Sequence, residues 1–387
     1  MDIINDHPPL EETVELLNSA FGDWGDEKYF RWKYTQYPDF DDSHNFYIED
    51  RGNIIAFTRL FVKELSVCED DLVVYIWGDT SVDKKYRGRG LFSKLKKFRE
   101  ERVENKDLSL EMAFVRKENI PYKVHMEEGW GSKKVPVYLK ILSPSVVLKH
   151  YLEEGLRDKA WLRKFIELFG SRVILDIDGE EVKLSELMED KEDKKISFKI
   201  SMKKDRFDSL IESLSSGRYI SSFVSDKSED ITVEVPKRVD IEHKSALDSD
   251  ELDEVMELYN RDLKRSDVHF RRERKDLEHL LKHPHLIEVI TVKEDDLKGF
   301  AAVARYPKRD ITELRVLDIL YDDRKTYDIL VKEIERCGEK EDADSIFIVS
   351  PEFEPSGWIE ISNRVVMWDP KEKIKSDNWR ISIYDMV

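Results

Sequence analysis

The chain has 387 residues and is acidic, with 83 Asp and Glu against 65 Lys and Arg and a formal net charge of -18. Its length predicts two domains, and its 38% of charged residues argues against a membrane protein. No apolar run approaches the ~20 residues of a spanning helix, and the first residues lack a signal peptide's basic start and apolar core. The two cysteines, Cys68 and Cys337, form no disulfide framework. We therefore expect a cytoplasmic protein with no membrane partner.

Helices and strands alternate over the first 142 residues. The apolar spacing predicts, in chain order, helices at 13–21 and 29–34, strands at 45–49, 54–65 and 72–82, a helix beginning near residue 91, a strand at 108–115, a helix at 119–128 and a strand at 135–142. The strand at 72–82 and the helix after it enclose the most informative segment of the chain.

This segment is a basic loop with two glycines, Arg87-Gly88-Arg89-Gly90. Residues 83–106 contain ten basic and four acidic side chains, a local excess of six positive charges in an acidic protein. Glycines let the backbone approach a ligand closely, and the first N–H groups of a helix and its dipole favour an anion. The loop therefore predicts a phosphate-binding site.

Two common phosphate loops are excluded. The Gly-Lys-Ser/Thr ending of a nucleoside-triphosphate loop is absent. The dinucleotide fingerprint needs a third glycine, and Phe92 stands two places after Gly90. Arg-Gly segments that bind RNA are disordered repeats, whereas this is one ordered copy in an acidic chain, so we expect no nucleic-acid partner.

The segment Arg87-Gly88-Arg89-Gly90-Leu91-Phe92, with Val82 before it, resembles motif A of the GNAT N-acetyltransferases, Arg/Gln-x-x-Gly-x-Gly/Ala. It departs from that motif at Phe92, where the family has a small residue. Asn119, ten residues before Gly129, resembles the start of motif B. The residues at 30–34, Phe-Arg-Trp-Lys-Tyr, with Pro38 after them, resemble a signature of one GNAT branch. The order of elements over residues 1–142 is also the GNAT order.

The resemblance implies that acetyl-CoA is the co-substrate. Its pyrophosphate would lie on the loop and its pantetheine arm along the splayed end of the preceding strand. The residues expected to bind it are Thr80, Ser81, Val82, Arg87, Gly88, Arg89, Gly90, Leu91, Phe92 and Asn119.

The catalytic residues are expected nearby. Family members often have a Tyr general acid four residues before the motif B glycine, and here that position is His125, with Tyr122 one helical turn earlier as a competing acid. Asp79 and Glu111 are candidate bases for the amine. Each has a structural alternative: the histidine and tyrosine could serve only packing, and Asp79 could brace a distortion of the strand.

The second half is expected to repeat the fold after a connecting region at 143–240. That region carries predicted helices at 146–169 and 207–214, strands at 173–175 and 196–202, and a charged loop at 189–195. From 241 to 387 the predicted elements are helices at 252–263, 277–281 and 326–336, strands at 286–292, 297–305, 312–320, 345–349, 365–368 and 379–384, and a short helix at 355–361. The loop at 321–325 has no glycine and two acids, so we expect this copy to bind no acetyl-CoA and to provide a wall of the acceptor cleft or a structural partner.

The predicted fold class is therefore α/β (α+β), with two GNAT-like domains, each a mixed, mostly antiparallel sheet flanked by helices. His279 and His283 share a helix face near His285, but no further ligand completes a metal site, so no metal is expected. The expected activity is acetyl transfer to a primary amine of a small molecule (amino sugar, amino acid or polyamine) or of a protein. A non-catalytic acyl-CoA-binding protein and a tandem-GNAT aminoacyl-transferase are the alternatives. The acceptor and the oligomeric state stay open.

Overall fold

A computed structural model describes residues 2–143, 146–147, 174–177, 180–183 and 239–386, except 23, 39–40, 42–43, 69, 102–108, 118, 309–310, 351 and 362–363. The predicted elements at 196–202 and 207–214, the loop at 189–195 and all but the first two residues of the helix at 146–169 lie outside this part. The strand predicted at 173–175 corresponds to a hairpin of Ile174–Ile177 and Glu180–Lys183.

The described elements follow most of the predicted order, but the short helix predicted at 355–361 is wrong, because residues 359–360 form a strand. In the first half they are β1 Ile3–Ile4, α1 Leu10–Phe21, α2 Glu27–Phe30 with a π-helical turn Arg31–Thr35, β2 Asn45–Asp50, β3 Asn53–Val67, β4 Asp70–Val82, α3 Leu91–Glu100, β5 Ser109–Arg116, α4 Ile120–Glu127, β6 Gly131–Lys134 and β7 Val137–Ile141. The hairpin gives β8 Ile174–Ile177 and β9 Glu180–Lys183. In the second half they are β10 Asp240–Lys244, α5 Ser249–Leu263, β11 Val268–Phe270, α6 Arg274–Leu281, β12 Leu286–Lys293, β13 Leu297–Lys308, β14 Ile311–Tyr321, α7 Arg324–Lys340, β15 Ser345–Val349, β16 Ile359–Glu360, β17 Arg364–Asp369 and β18 Trp379–Arg380.

Two large sheets contain most of these strands. The first runs β1-β2-β3-β4-β5-β17-β6, with β11 paired to the end of β3 and β18 paired to β11. The second runs β10-β12-β13-β14-β15-β7-β16. Both are mostly antiparallel, but each has one parallel pair at its centre, β4 with β5 and β14 with β15. The fold class expected from the sequence is confirmed.

The halves exchange their closing strands. β7, from the first half, lies between β15 and β16 in the second sheet, and β17, from the second half, lies between β5 and β6 in the first. The sequence predicts strands at 135–142 and 365–368 but does not indicate which sheet each one joins. Both strands are short and apolar, and such a pattern fits either sheet, since it specifies a buried face and not a pairing partner. The segments 1–142 and 241–387 thus do not coincide with the two sheets.

The two faces of the first sheet carry different partners. One face packs with α1 and with the π-helical turn, through Leu17 and Tyr34, and its cluster includes Val366 of β17. The opposite face is covered by α3, where Leu95 packs with Trp77, and by α4. We refer to these as the inner and outer faces, because only the inner face looks towards the second half.

The contact between the halves centres on Trp32 and His279. Their rings stack at 4.7 Å with an interplanar angle of 6°. The Trp32 indole donates to the His279 carbonyl at 2.8 Å, and the His279 ring bonds the Trp32 carbonyl at 2.8 Å. Burial lowers the pKa of His279 to about 4, so this ring is neutral near neutral pH. The halves therefore meet through a dry, hydrogen-bonded aromatic contact.

Candidate functional site

A β-bulge interrupts β4 just before the loop. Between the pairs Phe57–Ser81 and Arg59–Gly78, β3 has one residue and β4 has two. The first of these two, Asp79, has a left-handed φ of +48°. An extra residue bends a strand and re-aims its side chains. Here it turns the Asp79 carboxylate towards the inner face.

Beyond the bulge, β4 and β5 separate. Their ladder ends at Trp77 and Ala113, although β4 continues to Val82 and β5 to Arg116. The strands diverge, and a gap opens beside residues 78–82. Backbone N–H and C=O groups along such an edge can pair with an extended, amide-bearing ligand.

The loop follows this gap directly. Residues 84–86 form a single 3-10 turn, capped by the Asp83 carboxylate, which accepts from the Lys85 amide at 2.7 Å. Gly88 and Gly90 have φ of +78° and +75°, and a side chain at either would extend into open space. The glycines therefore provide the left-handed backbone while leaving the loop surface uncovered.

The loop delivers positive charge to the start of α3. The Arg87 side chain turns back to donate to the Val82 carbonyl at 3.2 Å, and the Arg89 guanidinium lies over the Tyr86 ring at 4.8 Å. The first backbone bond of α3 runs from Lys94 to Gly90, so the amides of residues 91–93 precede the helical ladder. Amides, helix dipole and arginines converge on one exposed surface, which fits a pyrophosphate.

The Asp79 carboxylate is held through one of its two oxygens. Its Oδ2 accepts a short hydrogen bond from the Tyr34 hydroxyl and lies 2.5 Å from the Lys33 ammonium. The Lys33 side chain is 7% exposed and that of Asp79 is 16% exposed. Among the residues that the structure describes, Oδ1 has no hydrogen-bond partner. The carboxylate thus both braces the bulge, as one alternative expected, and keeps an oxygen available at the inner face.

The Lys33 ammonium and the Tyr34 hydroxyl complete this arrangement, which we call the bulge clamp (Lys33, Tyr34 and Asp79). The ammonium lies 5.6 Å from the centre of the Trp24 ring, so it is held by aromatic faces as well as by the carboxylate. Burial, and then Asp79, raise the pKa of Tyr34 well above its usual range. The tyrosine therefore keeps its proton and acts as a donor to Asp79.

Glu111, the other candidate base, lies on the outer face. Its Oε2 accepts from the Trp77 indole at 2.9 Å. Trp77 belongs to the cluster under α3, opposite the bulge clamp. The structure therefore does not bring Glu111 and Asp79 together.

Both candidate acids lie on α4, also on the outer face. His125 is 3% exposed and stacks on Trp130 at 3.9 Å, and its Nδ1 is 3.4 Å from Glu128, which in turn pairs with Lys96 of α3. Tyr122 is half-buried against the cluster that contains Trp130. This environment favours the packing alternative for His125, because a covered ring cannot reach a thiolate.

Asn119 stands at the N-cap position of α4, and its side chain makes no capping hydrogen bond. It is exposed and extended, with φ of -78° and ψ of 152°, and its amide donates to the Arg116 carbonyl at 3.0 Å. It therefore stands at the end of β5, across the gap from residues 78–82.

Lys33 and Tyr34 were not among the site residues that the sequence suggested. The available signal was the Phe-Arg-Trp-Lys-Tyr segment at 30–34, which resembled a family signature without indicating a role. Their function depends on a contact with Asp79, 45 residues from Tyr34, and no local pattern specifies such a contact.

The histidines of α6 are engaged in the interface. His279 also bonds the Tyr384 hydroxyl at 2.9 Å, and His283 bonds the Tyr306 hydroxyl at 2.6 Å. Within the described ranges, no group of three or more His, Cys, Asp or Glu side chains is arranged to hold a metal ion. No helix in the same ranges combines the length and apolar character needed to cross a membrane.

Comparison with known proteins agrees with this geometry. Residues 10–122 match the profile of the Acetyltransferase (GNAT) family. The chain therefore contains a GNAT domain and is an acyltransferase that uses an acyl-CoA donor. No curated protein sequence gives a significant match.

Solved structures extend the similarity over nearly the whole chain. An N-myristoyltransferase of Saccharomyces cerevisiae with bound myristoyl-CoA has a TM-score of 0.54 at 12% identity, covering 95% of this chain and 77% of its own. A second structure of that enzyme, with myristoyl-CoA and inhibitors, also has a TM-score of 0.54 at 12% identity and covers 98% and 83%. A GCN5-related N-acetyltransferase from Anabaena variabilis has a TM-score of 0.50 at 9% identity and covers 95% and 72%. At such identities the likeness concerns the fold.

Proposed function

We propose that this protein is an N-acetyltransferase that moves the acetyl group of acetyl-CoA to a primary amine. The single observation that carries the proposal is the bulge clamp beside the gap between β4 and β5. The gap and the loop together suit the pantetheine and pyrophosphate of the cofactor, and Asp79 presents one available carboxylate oxygen at the adjoining inner face.

The donor would bind in an extended conformation. Its pyrophosphate would lie on the loop amides and on Arg87 and Arg89, and its pantetheine amides would pair along residues 78–82. Thr80 contributes a fixed hydroxyl, bonded to the Thr58 hydroxyl at 2.7 Å. Binding at many points would hold the thioester in one geometry, which is a large part of the catalysis of a bimolecular reaction.

The acyl transfer step balances with the residues at hand. The amine nitrogen attacks the thioester carbonyl carbon, the C–N bond forms, and the C–S bond breaks. Asp79 accepts the proton that the nitrogen loses, and the leaving thiolate takes up a proton to become CoA. The Lys33 ammonium, 2.5 Å from Oδ2, holds the Asp79 carboxylate in position for that step. Tyr122 is the remaining candidate for thiolate protonation.

The surroundings of the bulge support a short acyl group. A ring carbon of Phe61 lies 2.6 Å from where a Cβ would stand at Gly78, so that side of the bulge is filled. The adjoining surface carries the charges of Lys33 and Asp79, and a long hydrocarbon chain would desolvate them. Acetyl is therefore the acyl group that we propose, although the similar yeast structures contain myristoyl-CoA.

Titration and turnover test this function. Desulfo-CoA, a non-reactive analogue, should bind the wild-type protein by calorimetry, and thiol release from acetyl-CoA should depend on an added amine. Acetyl-CoA should exceed myristoyl-CoA in kcat/KM by more than tenfold. Failure of the protein to bind either acetyl-CoA or desulfo-CoA would refute the proposal.

The clamp is tested by two variants. Asp79→Asn should lower kcat by about 10²–10⁴, the usual contribution of a general base, with little change in the Kd of desulfo-CoA. Tyr34→Phe should lower kcat by about tenfold, because it removes one charge-assisted hydrogen bond to Asp79. As the matched control, Tyr47→Phe alters a buried tyrosine of β2 and should leave kcat unchanged. Equal kcat in Asp79→Asn and wild type would show that Asp79 has only a structural role.

A non-catalytic acyl-CoA-binding protein is the second candidate. It is favoured by the enclosed position of His125, which leaves Tyr122 alone as an acid. Tight binding of desulfo-CoA without turnover across a panel of amines would select it. Transfer of an aminoacyl group from tRNA is disfavoured, because such proteins generally lack an intact phosphate loop of this kind.

A further inference from the structure

Two arginines are paired next to the gap, between β5 and β17 on the side of β5 that faces away from β4. Arg116, at the end of β5, and Arg364, at the start of β17, are direct register partners. They stand two residues from Phe114 and Val366, which pack on the inner face, so their side chains project from that face too. Directly opposed residues have Cβ atoms about 5 Å apart, and like charges there are destabilising.

A third arginine reaches the same place from the second sheet. The Arg315 Nε bonds Glu313 at 2.5 Å, and its guanidinium lies 4.1 Å from the Tyr306 ring centre. Burial, then Arg116 and Arg315, lower the pKa of Arg364 to about 10, and Glu313 acts in the opposite direction. Arg116 and Arg364 thus place two positive charges side by side on the inner face, with Arg315 of the second sheet near them.

This cluster is on the acceptor side of the proposed reaction. Asp79 belongs to β4, Arg116 to the neighbouring β5 and Arg364 to the next strand, β17. β4 has separated from β5 at this level, so more than one strand spacing of about 4.8 Å lies between the Asp79 strand and Arg116, which leaves room for a small molecule. Arg116 is exposed and Arg364 half-buried, and a ligand in the gap could reach both.

We propose that the acceptor is a small amine that also carries an anionic group, a carboxylate or a phosphate, bound by Arg116 and Arg364 while its amine faces Asp79. This inference rests on the proposed function and names the substrate class for it. The acidic net charge of the chain would by itself suit a cationic acceptor, but charges within a few ångströms outweigh those beyond a Debye length of about 8–10 Å. Arginine is suited to the role, because its planar fork matches both carboxylate and phosphate.

Paired acceptors test the proposal at saturating acetyl-CoA. Lysine is compared with cadaverine, which lacks its carboxylate, and glucosamine 6-phosphate with glucosamine. In at least one pair the anionic member should have a kcat/KM more than tenfold higher, and the pair that responds distinguishes carboxylate from phosphate. In Arg364→Gln this preference should fall below threefold. Equal kcat/KM within both pairs, or a preference that survives in Arg364→Gln and in Arg116→Gln, would overturn it.

Melting temperatures show whether a variant that loses the preference is still folded. Arg364→Gln removes a charge that its neighbours destabilise, so its melting temperature should equal or exceed that of the wild type. Arg116→Gln, at an exposed position, is the second variant if the first does not fold. Arg336→Gln, an arginine with a 67% exposed side chain on α7, is the matched control and should keep the preference.

A binding experiment separates the two proposals. With the loop saturated by desulfo-CoA, inorganic phosphate should still bind the wild-type protein by calorimetry and should bind Arg364→Gln at least tenfold more weakly. That result supports the anion site even if no amine is acetylated, in which case the proposed function alone fails. Phosphate binding that is absent, or equal in the two proteins, would refute the anion site whatever the activity.

Discussion

The two halves carry the same strand, bulge, loop and helix, but with opposite chemistry. In the first, β4 has its bulge at Asp79 and leads into a basic loop with two glycines. In the second, β14 has its bulge at Leu317, which is fully buried, and leads into a loop with two acids. Both parallel pairs also separate beyond the bulge, because the ladder of β14 with β15 ends at Arg315 and Phe347. The backbone framework is therefore shared.

Side chains of the protein itself occupy the corresponding region of the second half. Arg265 donates to the carbonyls of Tyr321 and Asp322, and Arg380 donates to the carbonyl of Ile319. The start of α7 is capped by Asp323, which accepts from the Thr326 amide at 2.8 Å. The backbone around the second loop is therefore already hydrogen-bonded by side chains of the protein. We infer that loop chemistry, and not the fold, decides which half binds acyl-CoA.

The largest expected effect is on the free energy of unfolding, when an arginine beside the second loop is replaced. Arg380 lies 2.6 Å from Asp262, and both are buried. Arg380→Met should lower the free energy of unfolding by about 3–5 kcal/mol, because it removes one of the two arginines, Arg265 and Arg380, that pair with the buried Asp262 carboxylate. Urea unfolding measures this, with the exposed Arg336→Met as control. The stoichiometry of desulfo-CoA should stay at one, and a second bound equivalent would contradict the role given to the loop.

The next effect concerns the glycines of the first loop. Gly90→Asp places an acid and a strained left-handed residue where the pyrophosphate is expected, so the Kd of desulfo-CoA should rise at least about 100-fold. Gly22→Asp is the matched control, since Gly22 has a φ of +77° and open space around it but lies at the end of α1. Similar Kd values for the two variants would show that the first loop is no more a cofactor site than the second.

The contact between the halves should weaken in acid. The pKa of His279 is lowered to about 4, and burial lowers that of His283 as well. A histidine that is neutral when folded and has a pKa near 6.5 when unfolded contributes fully above pH ~6.5, and stability then falls by about 1.4 kcal/mol per pH unit towards pH 4. Urea unfolding from pH 7 to 4 measures the slope. His279→Gln should flatten it, whereas the exposed His7→Gln should not; an unaltered slope in both would argue against a neutral His279 at the contact.

The smallest effect is expected at His125. His125→Phe keeps the stacking on Trp130, so stability should change by less than about 1 kcal/mol. The dependence of kcat on pH should match that of the wild type, since the ring has no access to the reacting atoms. Loss of an ionisation from that profile would instead make His125 the general acid.

Much of the first half could be predicted from local patterns. The loop was identified because glycines, arginines and a helix start occur together within a few residues. The order of helices and strands along the chain followed from apolar spacing. Asp79 was singled out as a base or a brace by its place before the loop. Its contacts with Lys33 and Tyr34 became visible only in the tertiary structure.

Other expectations stay predictions or lacked a signal for a common reason. Glu111 and His125 were chosen by position along the chain, but the face on which each lies depends on strand register and on helix packing. The pairing of Arg116 with Arg364 joins residues 248 positions apart in the sequence. Neither residue has neighbours that mark it as part of a site.

The sequence by itself therefore determined most of the elements, the basic loop with two glycines and the different composition of the second loop, because these depend on residues close together in the chain. Only the tertiary structure decided that the halves exchange their closing strands, that Asp79 is bonded through Oδ2 to Lys33 and Tyr34, and that Arg116 pairs with Arg364. The physical reason is that hydrophobic patterning specifies which face of a strand is buried, whereas partner and register are chosen by the packing of distant segments.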